Sequence, residues 1–274
     1  MANTKPPRAT HNSSKGTDPN LPELDPWGIK CGNAYEPFIK VLESNSIGEL
    51  NVVPSRLTRR AHHYLSRLEA DYHYCIELNP RVIDIREQYP LIPVSETVSI
   101  AKKLKTTHPR RGSGYFEITV DLLLTTLSRD GELQYIARSI KPSEKLEDDK
   151  VLARLALEQA ACASRGIPWK LVTEHEITER ISRSARWPFQ VYAGRPNFSV
   201  EPDLESRFIQ ILEKTSLDVP LKQVISAVSS DLDISTDKGV EIFKHLICTR
   251  RLNVDVTRPL ELKTPHYALV ETFS

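Results

Sequence analysis

The chain has 274 residues, 39% hydrophobic and 27% charged, with a formal net charge of +1. That length suits a globular protein of one large or two smaller domains with a real core, and the near-neutral balance leaves any nucleic-acid contact to local clusters of basic residues. The four cysteines, Cys31, Cys75, Cys162 and Cys248, stand far apart without CxxC spacing. They point to reduced thiols rather than a disulfide framework or a zinc site. No apolar run approaches the roughly 20 residues of a membrane span, no secretory core opens the chain, and no GxxxxGK[ST] loop supports an NTPase.

In chain order, residues 1–26 are rich in Pro, Asn, Ser and Thr without periodic apolar positions and are expected to form a flexible tail. "SRLEADYHYCIEL" (66–78) is predicted as a helix: Ser66 can cap it, and Glu69 completes an S-x-x-E capping box. After Asn79-Pro80, "RVIDIREQYPL" alternates as a strand. Two further strands, "YFEITVDLLLTTL" (115–127) and "LQYIARSIK" (133–141), flank the turn "SRDGE". "EKLEDDKVLARLALEQAACASRG" (144–166) reads as a helix with Leu152, Leu155, Ala156 and Gln159 on one face and Gly166 as its stop. "IPWKLVT" (167–173) follows as a short strand, so 115–173 runs β-β-α-β. The basic stretch 177–198 reads as a connector. Three helices follow, in "DLESRFIQILEK", "PLKQVISAVSSDL" and "STDKGVEIFKHLICTRR"; the strands "LNVDV" and "HYALVE" then complete the order of a winged helix-turn-helix.

The hairpin carries the chemistry. Asp121 on its first strand and Lys141 at the end of its second, on the same face as Ser139, place a carboxylate and an ammonium at neighbouring ends of paired strands. An ammonium inside a sheet needs a charge partner, and Glu69 could approach from the preceding helix. Two carboxylates can hold a divalent cation that polarises a phosphoryl oxygen, with the lysine stabilising the developing negative charge. A structural Asp121–Lys141 pair with Glu69 merely capping its helix is the alternative.

The stretches "YEPFIKV", "RRAHHYLSRLEADYHYCIELNPRVIDIREQYPLIP", "ITVDLLLT", "YIARSIKP" and "LARLALEQAACASRGIPWKLVTEHEI" cover most of 35–177. In that order and spacing the chain resembles the TnsA-type endonucleases, the end-cleaving subunits of heteromeric cut-and-paste transposases. The resemblance implies an α/β fold: a restriction-endonuclease-like mixed-sheet catalytic domain over 27–176, followed over 177–274 by the connector and the winged-helix domain. It sets Glu69, Asp121 and Lys141 on the catalytic acid, acid and lysine. Mg²⁺ or Mn²⁺ would be held by Glu69, Asp121 and the Ile140 carbonyl, because Ser139 stands where the family can carry Gln and related nucleases carry Glu or Asp. Glu158 falls on an additional family carboxylate, or else is a solvated helix acid. The implied partners are double-stranded DNA at transposon ends, a DDE-type transposase and an AAA+ regulator, in a bacterial cytoplasm and away from membranes. A stand-alone restriction or repair nuclease and a non-catalytic DNA-binding scaffold are the other readings.

Two acid-free stretches flank these residues. One supplies Lys102, Lys103, Lys105, Arg110 and Arg111; the other carries Arg56, Arg59, Arg60 and Arg67. Arg59, Arg60 and the five residues of the first stretch are candidate phosphate contacts. His62, His63 and His73 invite a metal reading, but adjacent histidines on a helix point about 100° apart, which favours packing or DNA contact. Trp169 and Trp187 read as core or interface residues. The third C-terminal helix is basic only at Thr249-Arg250-Arg251, so DNA readout and protein docking are equally open for it.

Overall fold

The computed structural model describes residues 18–40, 51–215 and 219–263. Its order begins with the hairpin β1 (Asn51–Pro54) and β2 (Ala61–Tyr64), then α1 (Arg67–Glu77), β3 (Val82–Pro90) and α2 (Val94–Lys103). A small hairpin of β4 (Arg110–Arg111) and β5 (Gly114–Tyr115) precedes β6 (Thr119–Leu127) and β7 (Leu133–Ile140). Next come α3 (Asp149–Ser164), β8 (Trp169–Val172) and α4 (Glu179–Arg186), and finally α5 (Pro202–Leu212), α6 (Leu221–Asp231) and α7 (Thr236–Cys248). The result is a mixed α/β region with a C-terminal helical portion.

The central sheet has the order β3-β6-β7-β8; its first three strands are antiparallel, and β8 runs parallel to β7. Both faces are covered, so β3 and β6 are buried along nearly their whole length and read as continuous rather than alternating strands. On one face Leu122, Leu124, Ile140 and Val172 pack with Ala70 and Ile76 of α1 and with Tyr64 of β2. On the other, Val120, Leu123 and Ala137 pack with Ala101 of α2 and with Leu157, Ala161 and Cys162 of α3.

Two expectations change here. Residues 18–26, placed by composition in a tail, belong to the fold: the buried Asp25 accepts hydrogen bonds from Arg86 (2.5 Å) and from the Tyr89 hydroxyl (2.6 Å). Residues 1–17 lie outside the described residues. The buried face of α3 is Leu155, Leu157, Glu158, Ala161 and Cys162, while Leu152, Ala156 and Gln159 are exposed. The polar Glu158 interrupts the apolar stripe that periodicity looks for. The acid-free stretch from Ala101 also has structure of its own, since Lys102 and Lys103 close α2 and Arg110 and Arg111 form β4.

The three C-terminal helices form as expected around Phe208, Val224, Ile225, Ile242, Phe243 and Leu246. The close approach of α6 and α7 explains Gly239, where a Cβ would lie 2.0 Å from the Ser229 hydroxyl oxygen. No wing hairpin is formed among the described residues: "LNVDV" carries only a single bridge residue, and "HYALVE" lies outside them. The 177–198 stretch is more than a connector. Its α4 packs on α1, and the 3₁₀ turn Pro188–Tyr192 lies against α7.

The two halves are also pinned together. Arg250, at φ 58° just past the end of α7, donates from Nε and Nη2 to the Glu77 carbonyl at 2.9 and 2.6 Å. Its Nη1 reaches the Val82 carbonyl at 2.6 Å. This guanidinium therefore caps the C-terminal end of α1, where backbone carbonyls lack helical partners and the dipole favours a cation.

Candidate active site at a fork between two strands

The β6–β7 ladder runs from Leu127–Leu133 to Leu122–Arg138 and stops there. On β7, the N–H groups of Ala137 and Lys141 point to β8, bonding Pro168 and Val172. The intervening Ile140 therefore directs its N–H and C=O toward β6. There its N–H meets not a backbone carbonyl but the Asp121 carboxylate, at 2.6 Å. The same Asp121 oxygen accepts from Lys141 Nζ at 2.8 Å. The strands thus part at the point where Asp121, Ile140 and Lys141 converge.

Glu69 enters from α1. Ser66 caps the helix by accepting from the Glu69 N–H (3.2 Å) and donates its hydroxyl to Glu69 Oε1 (2.9 Å). Oε2 accepts from the Leu65 N–H at 3.2 Å, so the capping carboxylate reaches one residue further back than the usual box. Capping does not exclude a place near Asp121 and Lys141, because Glu69 is buried and its carboxyl feels both charges. Burial and the charge of Asp121 push its pKa up to about 7, against the opposing pull of Lys141. Burial disfavours the Lys141 ammonium, but Asp121, Glu158 and Glu69 outweigh it and hold the lysine charged well above its ordinary value.

Glu158 is buried rather than solvated, and it accepts from the Ser139 hydroxyl (2.6 Å) and from Arg154 Nε (2.8 Å). Trp169 Nε1 donates to the same Ser139 oxygen at 2.9 Å, which gives this core tryptophan a polar task. Burial and Asp121 raise the Glu158 pKa. The negative groups Glu69, Asp121 and Glu158 thus share Lys141 and Arg154, and a fully ionised cluster carries one uncompensated negative charge.

Gln88 was not legible as a site residue. It is buried, sits at φ 47° on β3 between the Glu87–Leu122 and Tyr89–Val120 pairs, and so lies opposite Asp121. Its amide nitrogen donates to Glu69 Oε2, and its oxygen accepts from Thr119 Oγ1, each at 3.4 Å. A non-glycine residue in the left-handed region is rare, and such positions cluster at functional sites. Only the pairing of β3 with β6 reveals it.

His62 and His63 lie on the strand β2, not on a helix, and so face opposite ways. His62 sits 2.8 Å from Glu87 and bonds Thr58, while His73 sits 2.6 Å from Glu77 and bonds the Tyr64 hydroxyl. These are packing contacts that lock β2 and β3 to α1. Burial would raise Glu77, but His73 and the Arg56 N–H outweigh it and hold the carboxyl at about 2. Arg60 is committed to the same network through both Glu87 oxygens, at 2.7 and 2.6 Å. Lys102, Lys103, Lys105 and Arg110 remain exposed, with no ion pair among the described residues. The basic end of α7 is spent internally: Arg250 caps α1 and Arg251 pairs with Glu205 at 3.4 Å.

The mixed sheet that parts beside Asp121 and Lys141 lies in a stretch of the chain with known relatives. Residues 79–174 match the family described as "TnsA-like endonuclease N terminal". Asp121, Lys141 and Glu158 fall inside the matched residues, and Glu69 precedes them on α1. The chain is similar to the Transposon Tn7 transposition protein TnsA of Escherichia coli, with 33% identity over 160 residues. The match covers 58% of this chain and 58% of that protein, so it spans little more than half of the relative. Among the described residues no helix is long and apolar enough to cross a membrane.

The match to an endonuclease family suggests a metal cofactor. Among the described residues no cluster of three or more His, Cys, Asp or Glu side chains is placed to hold one. The donor set that is present consists of hard oxygens: Glu69, Asp121 and the Ile140 carbonyl on the β6 side. It suits Mg²⁺, which is commonly bound by one or two carboxylates and otherwise by water and substrate phosphate. Burial and Asp121 raise the Glu69 pKa, so an added positive charge beside these carboxylates, such as a divalent cation supplies, would favour their full ionisation.

Proposed function

We propose that the protein is a metal-dependent DNA endonuclease subunit of a heteromeric transposase, hydrolysing one strand at the 5′ ends of its element during cut-and-paste transposition. The observation that carries this reading is the convergence of Glu69, Asp121 and Lys141 at the β6–β7 fork within an endonuclease-type domain. Glu69, Asp121 and the Ile140 carbonyl would hold Mg²⁺ or Mn²⁺, which when bound polarises the scissile phosphate and acidifies water. Asp121 holds Lys141 by a 2.8 Å ion pair, and the ammonium, about 29% exposed, stabilises charge on the attacked phosphate. Ser139, tied to Glu158 and Trp169, is a buttress rather than a ligand. Lys102, Lys103, Lys105, Arg110 and Arg111 form the DNA-gripping arm.

A partner DDE-type transposase would cut the other strand, and an AAA+ regulator would govern the complex. For the winged-helix reading of the C-terminal portion, protein docking is favoured over groove readout. The polar side chains of α7 are engaged by the connector: Glu241 with Arg195 at 2.7 Å, and Lys244 with Gln190 at 3.1 Å and over the Trp187 ring. The deciding experiment is incubation of end-bearing duplex with Mg²⁺, with and without the transposase. A single nick leaving 5′ phosphate and 3′ hydroxyl is expected. Double-strand cleavage by the protein alone would favour a stand-alone nuclease, and binding without cutting a scaffold.

Two further outcomes follow from the surroundings of Glu69. Because its carboxyl keeps a proton up to about pH 7, Mg²⁺ must displace that proton in more acidic solution. The Mg²⁺ concentration for half-maximal cleavage should therefore fall about tenfold per pH unit on the acid side of 7 and level off above it. Equal Mg²⁺ requirements on the two sides of neutrality would remove Glu69 from the metal. Gln88→Ala should raise that concentration about 10–100-fold, as loss of an outer-shell partner does; an unchanged requirement would make Gln88 a packing residue only.

A further inference from the structure

A cleft of about 720 Å³ opens between the β1–β2 hairpin and the connector. Its floor is aromatic, formed by Tyr74 of α1 with Phe189 and Tyr192; the first two rings lie 5.0 Å apart. Five arginines contribute to its lining, and no Asp or Glu does. Three of them have carboxylates outside the cleft: Arg60 on Glu87, Arg186 on Asp71 at 3.3 Å, and Arg183 on the exposed Glu179 at 2.9 Å. The other two have none among the described residues. Arg56 lies 4.1 Å over the Tyr192 ring, and Arg59 is exposed at the hairpin corner, held at φ 58°.

The cleft is not part of the active site. Tyr74 follows Glu69 by five residues, roughly 140° round the helix, so it faces away from the candidate catalytic carboxylate. An aromatic floor favours an apolar group, and the two rim guanidinium groups without a carboxylate, Arg56 and Arg59, favour carboxylate or phosphate. Duplex DNA meets proteins first through its phosphates and sugars and keeps the flat faces of its bases stacked inside, so it offers no ring or aliphatic side chain to fill the floor. An acidic stretch of polypeptide carrying an aromatic or aliphatic side chain satisfies both demands.

We propose that this cleft docks an acidic segment of a partner protein, seating an apolar anchor between Tyr74, Phe189 and Tyr192 and its carboxylates on Arg56, Arg59 and Arg183. The test is selection of a random linear-peptide phage library on the full-length protein, followed by fluorescence anisotropy of a synthesised winner. The expected consensus clusters Asp and Glu around Phe, Trp or Leu. The charge-reversed variant Arg59→Glu/Arg183→Glu, checked by its unchanged melting temperature, should bind the peptide at least about tenfold more weakly. Binding is read without cleavage, so the result does not depend on nuclease activity. A consensus without acids, or equal affinity for the variant, overturns the proposal. Displacement of the peptide by end-bearing duplex or single-stranded DNA, with the same loss in the variant, would make the cleft a nucleic-acid surface. Full displacement by inorganic phosphate would leave a simple anion subsite, and either result also overturns it.

Discussion

Lys141→Ala is expected to lower the strand-nicking rate by about 10²–10³-fold, the usual cost of removing one preorganised charge donor from the reacting oxygen. Binding of the same DNA should change little, because the arm on α2 and β4 is untouched. The substitution also strips Asp121 of its ion-pair partner, leaving only the Ile140 N–H on that carboxylate oxygen. Lys141→Arg separates the two roles: it can keep the pair with Asp121, but a planar guanidinium does not replace a compact ammonium at a scissile phosphate. Single-turnover nicking, measured beside filter binding, checks both. Nicking that survives Lys141→Ala would show that the lysine serves only to neutralise Asp121.

Asp25→Ala should destabilise the fold by about 3–5 kcal/mol, the cost of leaving a buried charge without its partner. Arg86 is fully buried, and Asp25 meets its Nη1 at 2.5 Å while also accepting from Tyr89 and from the N–H groups of Trp27 and Ile29. Asp84 remains near Arg86 Nε at 3.2 Å but is itself engaged by the Gly32 and Ile85 N–H groups. In a chain of this size the melting temperature should fall by roughly 10 °C. Asp25→Asn, which keeps an acceptor and the shape, should fall by less. A melting curve for Asp25→Ala that matches the parent would mean that residues 18–40 contribute nothing to the sheet.

Much of the half that holds the candidate site can be read directly from the residues because its signals are local. Ser66 and Glu69 announce the start of α1, "SRDGE" separates β6 from β7, and the hairpin puts its acid and lysine near one end of the ladder, although their contact forms only where the strands part. The misread features depend on distant partners. Asp25 looks like tail because Pro, Asn and Asp surround it, yet its order comes from Arg86, 61 residues away. The inner face of α3 escapes a hydrophobic count because Glu158 lies on it, satisfied by Ser139 and Arg154. Gln88 becomes a site residue only when β3 lies beside β6. Arg250 and Arg251 read as a basic terminus open to DNA or protein, although Arg250 turns inward to α1 and the exposed Arg251 pairs with Glu205 of α5.

The Arg250 cap bears on where this chain can be divided. A fragment ending near residue 176 would bare Tyr74, Cys75 and Leu78, which pack into the C-terminal core, and would uncover the two carbonyls that the guanidinium occupies. The helix that presents Glu69 is thus finished by an arginine 173 residues further along. Grafting the C-terminal half of another protein onto this sheet domain would have to recreate that side chain in its left-handed corner, or accept a loosened Glu69.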